Sequence, residues 1–343
     1  MAASSRKTRS ILFFIAVNLI SVICLIWALH GMNFARFFSK VAHLQWGWVA
    51  VAVISNVLSY LVQGWRWSMV LAPVTPVPVW ESVQAIYVGL YANEVLPLRS
   101  GEIIRCYLQA RWSELPLSVT LASALIERIF DGIWLIVALA VTIEMVHLPR
   151  VIKNAGLFVS ALVLVCGVLL AVAMYWKEQT LDALVKSRRL RWLHVLIKDL
   201  HLIGHSRYLY FAFALSLPFL VLQVFPIYAM LRAYHDLPGF GFVAALTLAV
   251  ALRLNSVLPQ APGNIGTFQW AAILGLRVFR VKDIIAKDFS FILWAVLTLP
   301  LFVLGFIAVA LTGTNIFDIH RGAKKSLNER SKVPERRQKD RVA

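Results

Sequence analysis

Ionisable side chains sit inside segments of this chain that are otherwise largely apolar. Glu94, Arg99, Glu102, Arg105 and Arg111 fall within residues 81–112. Glu127, Arg128 and Asp131 fall within 118–146, and Arg253 falls within 241–279. Charges in hydrocarbon are costly, so they pair with one another or line a polar path. Glu127 and Asp131 are four residues apart, which puts both carboxylates on one helical face. Two chemistries fit this set. Five basic groups (Arg99, Arg105, Arg111, Arg128, Arg253) match five acidic ones (Glu94, Glu102, Glu127, Asp131, Glu144), so ion pairs that only hold helices together are arithmetically complete. Alternatively, arginines near helix starts grip a phosphate bidentately, which points to an anionic lipid head group. The candidate substrate-binding residues are Asn93, Arg99, Glu102, Arg105, Glu127, Arg128, Asp131, Arg253 and Asn255. His194, His201 and His205 share a helix face, but no carboxylate completes a ligand set, so no metal is expected. No phosphate-binding loop for a nucleotide is present, and no cofactor is expected.

The elements that must position these groups are membrane helices. The chain has 343 residues, 60% of them hydrophobic and 15% charged, with a mean hydropathy of +0.74. Soluble domains carry about 25% charged residues, and here the apolar residues come in long blocks. A bilayer core of ~30 Å needs about 20 apolar residues per helix. The segments 11–29, 46–70, 118–146, 155–175, 209–232 and 289–313 qualify as six spans. Trp46, Trp48, Trp65, Trp67 and Trp80 flank the second as an interfacial belt. Residues 81–112 and 241–279 are each apolar, then broken by Pro and Gly, then helical again. They read as two re-entrant hairpins or, counted as further spans, bring the total to eight. Residues 177–205 read as a basic amphipathic helix on the membrane surface or a basic loop.

The 34 Lys and Arg against 17 Asp and Glu give a net charge of +17. On a membrane protein this reports topology rather than nucleic-acid binding. Residues 1–10, 176–208 and 314–343 carry net charges of +3, +4 and +5, and are assigned to the cytoplasm. That places 19 basic residues inside and 8 in the outer connections, with both termini inside. The tail 314–343 is polar and basic, and disorder is expected there.

An internal repeat links the two broken stretches. N-E-V-L-P-L-R-S-G (93–101) and N-S-V-L-P-Q-A-P-G (255–263) match at five positions, 162 residues apart. Pro97 and Pro259 end a helix, and Gly101, Gly263 and Gly266 allow a sharp restart. In the assigned topology the flanking helices run in opposite directions, as in an inverted repeat, where substrate sites lie at broken helices near the midplane.

The runs L-P-L-R-S-G-E-I-I-R (96–105), E-R-I-F-D (127–131) and L-P-Q-A-P-G-N-I-G-T-F (258–268) resemble the lysylphosphatidylglycerol synthase transmembrane-region, or flippase-like, family. The resemblance covers roughly residues 10–315. It implies a bacterial or archaeal cell-membrane protein that moves lipids between leaflets, not an enzyme. A partner lipid-synthesis enzyme is also implied. It carries over Asn93, Pro97, Arg99, Gly101, Glu102, Arg105, Glu127, Arg128, Asp131, Pro259, Gly263 and Gly266 as motif residues. Two departures matter: Gln269 stands where relatives often have an acid, and no aminoacyl-transferring domain is expected in the 30 residues after 313. The alternatives are an intramembrane lipid-modifying enzyme or its subunit, with the carboxylates as acid/base groups, and a non-transporting scaffold.

Overall fold

The computed structural model describes residues 22–30, 33–96, 100–175, 206–237, 239–256 and 262–313, together with positions 19, 318, 319, 321–323 and 326. The regular elements among them are helices: α1 (22–29), α2 (Phe34–Ala42), α3 (Trp46–Leu71), α4 (Val79–Val95), α5 (Gly101–Trp112), α6 (Leu117–Met145), α7 (Arg150–Tyr175), α8 (Arg207–Ala233), α9 (Phe242–Ser256), α10 (Thr267–Arg277) and α11 (Asp283–Leu311), with a 3-10 turn at Pro262–Asn264. Helices α3, α7, α8 and α11 are long and apolar enough to cross a membrane. Helix α6 has 29 residues, about 43 Å at 1.5 Å per residue, but it holds Glu127, Arg128 and Asp131. The chain is an all-α polytopic membrane protein.

Helices α4, α5, α9 and α10 have 17, 12, 15 and 11 residues. At 1.5 Å per residue none reaches the ~30 Å of a bilayer core. They form two antiparallel hairpins instead. In the first, Asn93 Oδ1 accepts a hydrogen bond from the Gly101 N–H at 2.8 Å. One turn further from the break, Gly89 faces Arg105. Both pairings centre on position 97. In the second hairpin Gly275 faces Leu248, a pairing that centres on 261–262.

The repeat extends over four helices. Moved by 162 positions, α3 falls on 208–233, where α8 spans Arg207–Ala233. Likewise α4 falls on 241–257, against Phe242–Ser256 for α9. The third shifted helix, α5, meets the 3-10 turn and α10, and α6 falls on 279–307, against Asp283–Leu311 for α11. The halves are inverted, because α3 and α8 pack antiparallel along their lengths. Gln45 N–H donates to the Ala233 carbonyl at 3.1 Å, Trp48 stacks edge-on against Tyr228, and Arg66 reaches Ser216. The packing is reciprocal as well: α4 lies on α11, and α9 lies on α6. The pseudo-twofold axis therefore passes through the middles of α3 and α8, halfway along the spans.

Prolines 218, 226 and 300 lie inside α8 and α11. Near the last of these, the Asn56 side-chain amide donates to the Leu297 carbonyl at 2.9 Å, the kind of partner that lets membrane helices tolerate Pro.

Several features depart from the expectation. Residues 34–42 of the first connection form helix α2 rather than a loop. Trp67 is fully buried, not interfacial, whereas Trp46, Trp65 and Trp80 are exposed. The tail expected to be disordered is helical at 318–319 and 321–323, with Ile319 and Ala323 buried. Apolar side chains there have found a groove beside α5, where a Cβ on Gly322 would meet Tyr107. Residues 1–10, the 177–205 segment with its three histidines, and Pro97, Arg99 and Pro259 lie outside the described residues.

The tightest backbone contact closes the first hairpin. A Cβ on Gly101 would lie 1.8 Å from the Gly89 carbonyl oxygen, and backbone cannot swing aside as a side chain can. Gly101→Ala is expected to cost about 1–3 kcal/mol, read as a lower melting temperature in detergent. The control is Gly167→Ala, since Gly167 faces open space and should melt like the parent.

Candidate functional site

The first half of the repeat brings six charges into a closed ring. Arg66 of α3 donates from Nε and Nη2 to Glu127 Oε1 at 3.2 and 3.1 Å, and from Nη1 to Asp131 Oδ1 at 2.6 Å. Arg105 of α5 donates from Nη1 to Glu127 Oε2 and from Nε to Glu102 Oε2, both at 2.9 Å. Arg128 donates to Glu102 Oε1 at 3.0 Å, and its other terminal nitrogen lies 3.6 Å from Asp131 Oδ2. The order Arg66–Glu127–Arg105–Glu102–Arg128–Asp131 returns to Arg66, so each charge touches two of opposite sign and the net charge is zero.

Helical spacing assembles the ring. Glu127, Arg128 and Asp131 occupy one turn of α6, and Glu102 and Arg105 are three apart in the first turns of α5. Arg66 comes from five residues before the end of α3. By the 1.5 Å rise it sits about 11 Å from the pseudo-twofold axis, on the side from which the first hairpin enters. The ring is graded in exposure. The Arg66 and Glu127 side chains are 0% exposed and Arg105 is 3%, whereas Glu102 is 46% and Arg128 is 49%. Aromatic faces cover the buried edge: Arg66 lies over Phe219 and Arg105 over Trp67, each 4.6 Å from the ring centre.

A cavity of about 310 Å³ opens where the two hairpins meet. The exposed edge of the ring forms one wall. The second hairpin supplies Arg253 and Asn264 on the opposite side, and Gly263 approaches Glu94 there. Arg253 donates to the Gln223 side-chain oxygen and stacks 5.8 Å from the centre of Phe219. Among the described residues no carboxylate lies within ion-pair distance of it, and Asp131 acts on it only through space. Phe219 is at the middle of α8, so Arg253 stands at mid-depth while the ring lies to one side.

Of the residues expected at the site, Asn93, Glu102, Arg105, Arg128, Asp131 and Arg253 line this cavity, and Glu127 lies behind it. Asn255 is buried but is not among the cavity residues. Asn93 has a structural bond as well, the one that closes the first hairpin. The five-against-five pairing is corrected. Arg111 and Glu144 are exposed and stand apart, and the third ring cation is Arg66, which sequence reasoning missed. The signal was present: Q-G-W-R-W (63–67) places an arginine within an apolar span. At the second break Gly263 and Gly266 have φ of +74° and +89°, the left-handed region that glycine enters freely. Gln269, the departure from the family pattern, accepts the Gly266 N–H at 2.6 Å and closes the start of α10.

Burial grades the ring energetically. Removing one partner of a buried pair leaves an uncompensated charge and costs about 3–5 kcal/mol, while a half-exposed pair is worth about 1 or less. Arg66→Met is therefore expected to lower the melting temperature far more than Arg128→Gln. Adding Glu127→Gln to Arg66→Met should recover part of the loss. Equal effects of the two single changes would contradict the graded ring.

The family profile described as "Lysylphosphatidylglycerol synthase TM region" matches residues 14–305. A curated relative described as "UPF0104 membrane protein", from Methanothermobacter thermautotrophicus, is 24% identical over 307 residues, which is 82% of this chain and 87% of the relative. No solved structure matches. The three sequence runs, the helical membrane fold and a match over most of the chain agree, and the chain belongs to the lysylphosphatidylglycerol synthase TM region family.

Proposed function

We propose that the protein is a non-enzymatic transporter that moves a lipid with an anionic head group between the leaflets of the cell membrane. The observation that carries this reading is Arg253. It is a cation with no carboxylate in direct contact among the described residues, at mid-depth in a cavity between two inverted hairpins. A cation held in a low-dielectric site favours an anion beside it. Inverted repeats with broken helices place substrates at this depth. At about 310 Å³ the cavity is at the lower end of ligand sites, ~300–1,000 Å³. It suits a head group, while acyl chains remain in the surrounding lipid. The half-exposed Glu102–Arg128 edge is the polar rail along which the head group leaves the centre. The family name, which refers to a phospholipid-synthesising enzyme, agrees with a lipid substrate. With both termini in the cytoplasm, as loop charge indicates, the first hairpin and the ring belong to the cytoplasmic half.

The test is reconstitution in phosphatidylcholine liposomes containing fluorescent phosphatidylglycerol, with bleaching of the outer leaflet by dithionite. The parent protein is expected to accelerate exchange between leaflets. Arg253→Gln should slow it roughly tenfold, the loss of one charge-assisted hydrogen bond, while melting like the parent. Rates equal to protein-free liposomes across anionic and zwitterionic lipids would overturn the reading.

A further inference from the structure

We propose that Glu102 is a resident stand-in for the substrate's phosphate, and that the head group binds by displacing it from Arg105 and Arg128. This inference rests on the transport reading above and adds the step by which the site loads.

The charge count gives the first argument. Without Glu102, the ring holds Arg66, Arg105 and Arg128 against Glu127 and Asp131, which leaves a single positive charge. A phosphodiester carries one negative charge and two free oxygens, as does a carboxylate. Glu102 spreads its two oxygens over two arginines: Oε2 takes Arg105 and Oε1 takes Arg128. A phosphodiester placed there bridges the same pair and restores neutrality, and Arg grips either anion with the same planar fork.

Exposure is the second. Glu127 and Asp131 are 0% and 10% exposed and receive Arg66 from behind. Both hold the fully buried Arg66, and losing either would leave that guanidinium with one carboxylate. Glu102 is 46% exposed, lines the cavity and pairs with Arg105 and Arg128 rather than with Arg66. It stands in the first turn of α5, beside the break, where its side chain rotates without moving a packed helix. The ring thus has one replaceable anion and two fixed ones.

The third is a spare donor. Arg105 is almost fully buried, and its Nη2 makes no hydrogen bond although Glu102 Oε2 lies 2.9 Å away. The carboxylate meets Arg105 chiefly through Nε and leaves Nη2 misaligned. A buried guanidinium N–H without an acceptor is an unmet demand, and Arg105 lines the cavity, where a ligand oxygen can reach it. Exchange also explains why a charged site need not trap its substrate. When the phosphate leaves, Glu102 closes the ring again, so neither state leaves Arg105 or Arg128 without an anion.

The experiment compares the parent, Glu102→Gln, Arg128→Gln and the double variant in phosphatidylcholine nanodiscs, with and without phosphatidylglycerol. Retained phosphatidylglycerol is measured by mass spectrometry after dilution, and melting temperature verifies folding. With the competing carboxylate neutralised, Glu102→Gln is expected to retain phosphatidylglycerol on the order of tenfold more tightly. In liposomes it should exchange lipid more slowly, because release has lost its driver. Arg128→Gln is expected to abolish the gain. A folded Glu102→Gln protein with unchanged or weaker retention overturns the exchange. Tight retention together with protein-free exchange rates in the parent overturns transport and leaves the exchange standing. Competition by soluble glycerol 3-phosphate as strong as by phosphatidylglycerol assigns the anion to a free phosphate and overturns the lipid reading alone.

Discussion

A fully buried ion in a membrane protein needs an opposite charge in contact with it, and that condition organises the first half of this protein. Arg66 and Glu127 have no exposed surface, so each must be neutralised by contact. Arg66 comes from α3, Arg105 from α5 and the carboxylates Glu127 and Asp131 from α6. Three helices are thereby fixed in rotation and in depth. A slip of one residue along any of them would carry a charge away from its partners. Apolar packing alone, which in a membrane has no solvent to flee, does not specify register so closely.

The hairpins serve the same condition from the other direction. A half-length helix can start inside the bilayer only if its first N–H groups find acceptors. Asn93 supplies one for Gly101, and Gln269 supplies one for Gly266. These are side-chain caps in place of water, and both stand at the breaks where the helices restart. Close approach of Gly89 and Gly101 then lets α4 and α5 lie against one another, which brings Arg105 within reach of Glu127. The site follows from the break, and the break follows from a few small or amide residues.

Much of this was legible in the sequence. Apolar length gave four of the six expected spans, because a bilayer imposes its thickness on any helix that crosses it; most of the first, 11–29, lies outside the described residues. The shared N-x-V-L-P pattern marked both breaks, and its 162-residue offset maps four helices of one half onto the other. What escaped notice had a common cause. Arg66 sits between Trp65 and Trp67, aromatic residues that suggest a membrane interface, so the arginine passed as part of a belt. Trp67 instead buries its ring under Arg105. Helix α2 and the helical residues at 318–319 and 321–323 are too short for hydropathy to separate from loops. The antiparallel pairing of α3 with α8 depends on contacts between residues about 150 or more positions apart, which no local pattern records.

The ring also bears on how the protein is made. Its members enter the membrane in the order of synthesis, Arg66 first and Glu127 61 residues later. Until α6 is made, α3 carries a guanidinium near its end without the carboxylates that neutralise it in the fold. An arginine costs ~2.5–3.5 kcal/mol at the centre of a membrane helix and less toward an end. The third helix is therefore a reluctant passenger that the bilayer fully accepts only once its counter-charges arrive. Neutralisation thus doubles as an assembly checkpoint: a chain interrupted before α6 would leave α3 poorly anchored and open to membrane quality control.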